Sequence, residues 1–187
     1  MERSRKEILK KVNEIFEKHH TPFFLSCGTC LGIYRDGKFI DWDYDVDVGI
    51  LEENLGNFLS IISDISFYLG QNPQIFHLDN EKEALFNWTY YEGENISMLD
   101  IAIYFLDETR NIRWKIVEVV TGYWIEEFDA RLFNQFQEII FDGLKFNLPC
   151  PVEEYLLVKY GETWRNRIKE QWTEKYPSVK KYVKRNG

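Results

Sequence analysis

The chain has little that could carry disulfide, zinc or membrane-spanning chemistry. Three cysteines in 187 residues are few and odd in number, which excludes a disulfide framework and fits a reducing compartment. Three histidines, His19, His20 and His77, stand at no spacing that would complete a zinc site with a cysteine. No run of 18 apolar residues occurs, so no helix is expected to cross a bilayer. The first residues, Met1-Glu2-Arg3-Ser4-Arg5-Lys6, open a charged amphipathic pattern and lack the apolar region of a signal peptide. These absences point to a cytoplasmic protein. No internal repeat, low-complexity stretch or linker is visible, so a single domain over residues 1–187 is expected.

Positive charge is also short overall. The net charge of −8 argues against nucleic-acid binding by the whole surface. From Lys159 to Gly187, however, nine Lys or Arg face three Asp or Glu. Such a basic tail on an acidic body suits either peripheral contact with an anionic membrane or a solvated terminal helix. Hydrophobic residues make up 44% of the chain, enough for an ordinary core. Aromatic residues, at 17%, are numerous, and most are expected in that core rather than on stacking platforms.

Periodicity sketches the elements. Ile8, Leu9, Val12, Ile15, Phe16 and His19 keep helical spacing over residues 3–20, ended by Thr21-Pro22. Residues 23–27 read as a buried strand. Gly28-Thr29 then turns the chain into a short helix from Cys30 to Arg35, closed by Asp36-Gly37. Residues 53–69 return to helical spacing, and strands are expected over 73–78, 84–91, 97–106 and 112–120. Asp142-Gly143 reads as a hairpin turn between strands 138–141 and 144–148. Pro149 and Pro151 open a helical C-terminal segment over about 150–187, with a break at Gly161 and a second short helix near 162–172. The order of elements is mixed α+β, with helices flanking one sheet.

The most informative stretch is Asp41-Trp42-Asp43-Tyr44-Asp45-Val46-Asp47-Val48-Gly49-Ile50. On a strand, Asp43, Asp45 and Asp47 share one face while Tyr44, Val46, Val48 and Ile50 fill the other. Carboxylates this close raise one another's pKa unless a cation neutralises them, and a hard divalent ion prefers oxygen ligands. Gly28 and Thr29, at a strand-to-helix turn, offer a close approach to a phosphate, and the helix N-terminus offers free N–H groups. Asp100, a lone charge in the apolar strand pattern Leu99-Asp100-Ile101-Ala102-Ile103, is the natural third carboxylate. Together Asp45, Asp47 and Asp100 suit metal-assisted phosphoryl or nucleotidyl transfer. Asp43 shares the ladder face but is not needed as a ligand.

Three other readings compete. Asp41, Asp43, Asp45 and Glu52 fall at positions 1, 3, 5 and 12 of a Ca²⁺-loop frame, although Val46 stands where that loop needs glycine. The aspartates could also be a purely structural acidic turn. Cys27-Gly28-Thr29-Cys30 has the spacing of a redox pair, with the following helix cut short. Lys159 and Arg165 could meet a phosphate, but helix-surface charge is the better account of both.

The run from Gly28 to Asp47, GTCLGIYRDGKFIDWDYDVD, resembles the signature of the LicD family, and its WDYDVDVGI segment is most like the fukutin-related branch. Leu99-Asp100-Ile101 with Phe105-Leu106-Asp107, and Pro149 to Trp164, agree with two further family stretches. Cys30 and Asp41 depart from it by replacing a common leucine and proline. The resemblance implies a nucleotidyltransferase-type mixed sheet flanked by helices. It implies a Mg²⁺- or Mn²⁺-dependent enzyme moving phosphocholine, ribitol phosphate or a similar group from a CDP-alcohol onto a glycan or small hydroxyl acceptor. By position Gly28 and Thr29 would face donor phosphates, Asp45 and Asp47 would hold metal, Asp100 would be a ligand or general base, and Arg35 would steady phosphate charge. An NTP-using nucleotidyltransferase releasing pyrophosphate is the alternative within the fold. A Ca²⁺-binding or nucleotide-sensing module without catalysis is the alternative outside it.

Overall fold

The computed structural model describes residues 4–77, 82–119, 121–169 and 175–184. Helix α1, Arg5–Lys18, buries Ile8, Leu9, Val12, Ile15 and Phe16 on one stripe, and Ser4 and Glu7 close its first turn as a reciprocal capping box. The two-residue strand β1, Phe24–Leu25, leads directly into α2, Cys27–Asp36, which ends on Gly37 at φ 66°. The helix therefore begins three residues before its expected start, and Gly28 and Thr29 sit inside its first turn rather than ahead of it.

Strand β2, Asp45–Leu51, alternates as its sequence requires. Val46, Val48 and Ile50 are fully buried, while Asp45 and Asp47 are half-buried on the opposite face. The strand starts at Asp45, so Asp43 belongs to the preceding turn and is not a third rung. A 3-10 segment, Glu52–Asn57, precedes α3, Phe58–Leu69, dividing the single helix expected over 53–69. Strands β3, Gln74–His77, β4, Glu83–Glu92, β5, Asn95–Asp107, and β6, Ile112–Val119, match expectation within a few residues. Strand β7, Gly122–Asp129, was not legible, because adjacent Glu126 and Glu127 break its alternation. Strands β8, Phe136–Phe141, and β9, Leu144–Pro149, form the expected hairpin, with Asp142 and Gly143 both at positive φ.

The C-terminal segment differs from expectation. Helix α4 covers only Val152–Tyr160, a 3-10 turn follows over Glu162–Arg165, and β10, Val179–Lys184, is a strand rather than a helix. Alternating Val179, Lys181 and Val183 pair antiparallel with β7, which local helical bias cannot match. Residues 170–172 of the expected second helix lie outside the described residues.

The main sheet has eight strands in the order β1-β2-β5-β6-β7-β10, with β4 paired to β5 and β3 to β4. Among the described residues β2 and β5 are the one parallel pair. Helices α1, α2 and α3 flank this mostly antiparallel sheet, and α1 packs against both α3 and β2. The aromatic residues are largely core, as expected. Phe24 lies 5.0 Å from Tyr104 and 5.4 Å from Phe133 and Phe136, ring centre to ring centre. No helix among the described residues is long and apolar enough to cross a membrane.

Gly49 sits against this aromatic cluster: a Cβ there would lie 2.3 Å from the Phe24 ring. Gly49→Ala should therefore lower unfolding stability by about 1–3 kcal/mol in urea titration. An unchanged midpoint would contradict the Phe24–Gly49 register.

Candidate active site

Parallel pairing of β2 with β5 sets Asp47 directly beside Asp100 and Asp45 beside Met98. On its other edge, β5 pairs Asp100 with Asn87 of β4. Residues paired this way present side chains on the same face. One carboxylate oxygen each from Asp45, Asp47 and Asp100 lie within 4.8 Å of one another. The Asn87 amide donates to Asp100 Oδ1 at 2.5 Å and fixes its plane. All three aspartates line a cleft of about 690 Å³, together with Gly28, Asp43, Lys115, Lys159, Tyr160 and Trp164.

Gly28 and Thr29 reach this cleft differently from expectation. The Thr29 N–H donates to Asp47 Oδ2 at 3.3 Å, and the Asp47 N–H donates to Thr29 Oγ1 at 2.8 Å. The positive end of α2 thus holds a metal-binding candidate in place, and Thr29 itself is buried. Gly28 makes room for carboxylates, since a Cβ there would lie 2.1 Å from Asp43 Oδ2 and 3.3 Å from Asp47 Oδ2. Arg35 lines the cleft, yet its Nε and Nη2 donate to Asp36 Oδ2. Its Nη1 donates to the carbonyls of Trp164 and Asn166 at 3.0 Å. It ties the 3-10 turn after α4 to α2, and its donors are engaged by protein where the sequence suggested phosphate. Sequence reasoning missed Arg5, whose Nη1 holds the carbonyls of Ile40 and Asp43 and so shapes the turn that carries Asp43.

Burial raises all three clustered carboxyls, and their mutual repulsion adds to it. Asp45 is pushed up to about 7, with Asp100 and then Asp43 adding to the rise, and Asp100 to about 7, with Asp47 adding most after burial. Asp47, beside Asp45 and Asp43, is pushed up to about 8. The same cleft carries buried cations. Lys115 Nζ lies 3.0 Å from Glu126 Oε2, and Lys159 Nζ contacts Glu126 Oε1. Burial alone would raise Glu126, but the two lysines hold it at about 2. Lys159 is 2% exposed, so the surface-charge reading of this residue is wrong.

Two competing readings also fail on geometry. Asp41 is an exposed partner of Lys38, and Glu52 accepts from the Leu106 N–H and pairs with Lys82, so the Ca²⁺ frame never converges. Cys27 and Cys30 are free thiols in α2, and burial pushes both up, away from the thiolate that redox exchange needs.

Comparison with known proteins adds to this geometry. A family model described as LicD/FKTN/FKRP, nucleotidyltransferase domain, matches residues 20–151. Ribitol-5-phosphate transferase FKTN of Homo sapiens is 27% identical over 179 residues, covering 95% of this chain and 37% of that protein. Ribitol 5-phosphate transferase FKRP of Homo sapiens is 40% identical over 55 residues, covering 29% of this chain and 11% of that protein. The chain thus spans 37% of the length of this FKTN relative. Among solved structures, the crystal structure of ANT(2")-Ia in complex with adenylyl-2"-tobramycin is similar at 18% identity and a TM-score of 0.36, covering 54% of this chain and 50% of that one.

The donor set fits a hard divalent cation. It is all oxygen, half-buried and mutually repelling, and among the described residues no Lys, Arg or His forms an ion pair with Asp45, Asp47 or Asp100, while Lys115 and Lys159 pair with Glu126. A carboxyl raised from 3.8 to about 7 or 8 binds its proton more tightly folded than unfolded. Its stabilising contribution is full below pH about 4 and is lost as pH rises through 7–8. In EDTA the melting temperature should therefore fall between pH 5 and 8, and millimolar Mg²⁺ should restore it most at pH 8. A metal-free melting temperature that rises over that range would contradict the carboxylate cluster.

Proposed function

The chain belongs to the LicD/FKTN/FKRP family of nucleotidyltransferase domains, and from that membership we propose a metal-dependent transferase that moves a phospho-alcohol from a CDP-alcohol onto a hydroxyl acceptor such as a glycan. The observation that carries the reading is the convergence of Asp45, Asp47 and Asp100, from two strands distant in sequence, within one open cleft. The curated relatives named as ribitol-phosphate transferases support the phospho-alcohol class.

In this reading the acceptor oxygen attacks the phosphorus bearing the alcohol, in line with the bond to the CMP oxygen. The new P–O bond forms as the old one breaks, and CMP leaves with the electron pair. The Asp100 carboxylate, oriented by Asn87, would take the proton of the attacking hydroxyl or serve as a metal ligand. Asp45 and Asp47, the latter steadied by Thr29, would with Asp100 hold Mg²⁺ or Mn²⁺. Such ions neutralise charge on the transferring and leaving phosphates. Asn87, Thr29 and Gly28 keep the carboxylates in place, so binding does not have to reorganise them.

The test is CMP release from CDP-ribitol, CDP-choline and CDP-glycerol with Mg²⁺ and a hydroxyl acceptor, beside CTP and ATP controls. Turnover with a CDP-alcohol is expected. Asp45→Asn or Asp47→Asn should each lower it on the order of a thousandfold, equivalent to about 4 kcal/mol of transition-state stabilisation. Pyrophosphate release from triphosphates alone would replace this reading with nucleotidyl transfer. Full activity in both asparagine variants would remove the site assignment.

A further inference from the structure

Lys115 and Lys159 carry more charge than the fold has use for. Lys115, on β6, stands in register with Glu126 on β7, and Lys159 reaches the same carboxylate from α4. The lysines are 5% and 2% exposed and Glu126 is fully buried. Glu126 Oε1 also accepts from Ser178 Oγ at 3.1 Å, just before β10. Two buried cations thus share one buried anion. A structural ion pair needs only one lysine; the second ammonium exceeds what Glu126 alone neutralises, and Asp47 and Asp100 feel the charge of Lys115 without forming an ion pair with it.

That excess charge borders the cleft, since both lysines line it. Each ammonium has three N–H donors, of which the contact with Glu126 takes up at most one. Glu126 and Ser178 fix where the two ammonium groups sit, while the rings of Tyr160 and Tyr176 flank Lys159 at 5.7 and 5.9 Å. The arrangement is a preorganised pair of donors with net positive charge, in the same cavity as a cluster of negative charge. A phosphate group entering this cleft would find ammonium donors there, in a cavity whose other charged groups are carboxylates.

We infer that Lys115 and Lys159, bracketed by Glu126, form an anion subsite that takes a phosphate group of the nucleotide donor. The identity of that anion rests on the proposed function; the subsite itself rests on the buried charge imbalance. It is a binding and positioning site, separate from the aspartates that would touch metal.

The experiment measures binding of inorganic pyrophosphate by calorimetry in EDTA, using the full chain carrying Asp45→Asn and Asp47→Asn so that neither metal nor those two carboxylates contribute. Lys159→Met and Lys115→Met each leave Glu126 with one lysine, a neutral pair that keeps the fold, checked by circular dichroism. Each should weaken pyrophosphate about tenfold, equal to about 1.4 kcal/mol. Lys159→Arg should recover most of the loss, which a purely structural role would not require. Affinity within twofold of the parent in the folded lysine variants overturns the inference, as does an absence of pyrophosphate binding to the parent. Failure of the proposed function looks different: the unmodified chain with Mg²⁺ releases no CMP from any CDP-alcohol, while the lysine dependence of pyrophosphate binding remains.

Discussion

Parallel pairing of β2 with β5 forces like charges together, and the rest of the molecule accommodates that. Asp47 stands beside Asp100 with Asp45 one rung away. Two ionised carboxylates about 5 Å apart repel by about 3 kcal/mol at an effective dielectric of about 20. The same two strands bury Val46, Val48, Ile50, Leu99, Ile101 and Ile103 on their other face. At about 1.5–3 kcal/mol per fully buried aliphatic side chain, that face contributes on the order of 10 kcal/mol. Three fully ionised carboxyls would make three such pairs, about 10 kcal/mol in all and comparable to that gain, so the cluster relieves its repulsion by holding protons, seen as raised carboxyl pKa values.

The cleft sorts its charges by element. Carboxylates come from β2, β5 and the turn before β2, whereas the ammonium groups come from β6 and α4 and are anchored through β7. Gly28 and Arg35 join these parts without being exposed donors. Gly28 lets Asp43 approach α2, and Arg35 clamps the turn after α4 by its backbone carbonyls. A mixture of backbone grips and missing side-chain volume thus holds the geometry, with few direct bonds between the charged groups of the two sets.

The alternation Asp45-Val46-Asp47-Val48 is a local signal, so the strand and its two faces were legible without coordinates. Asp100 was legible because an unaccompanied charge in an apolar strand demands a partner. The third rung was not, because Asp43 lies in a turn whose path Arg5 sets from nearly forty residues away in sequence. Glycine at position 28 suggested the close approach of a phosphate, whereas the groups the fold packs against it are the carboxylates of Asp43 and Asp47. Lys159 was misjudged for a related reason: its burial depends on Glu126, in a strand whose pattern is broken by paired glutamates, and on Ser178 just before a strand that forms only by pairing with β7. Long-range partners, rather than weak local propensity, hid these features.

Asp47 and Asp100 are about 50 residues apart along the chain, and antiparallel β4 must turn back into β5 before the two can meet. Closing so large a loop to join mutually repelling groups is among the least rewarded early steps of folding, so this contact belongs late in the assembly of the sheet. A half-folded chain carries no weakened version of the centre, because neither strand alone brings more than two of its oxygens together. A ligand that spans β2 and β5 therefore acts as a staple on the contact that completes the fold.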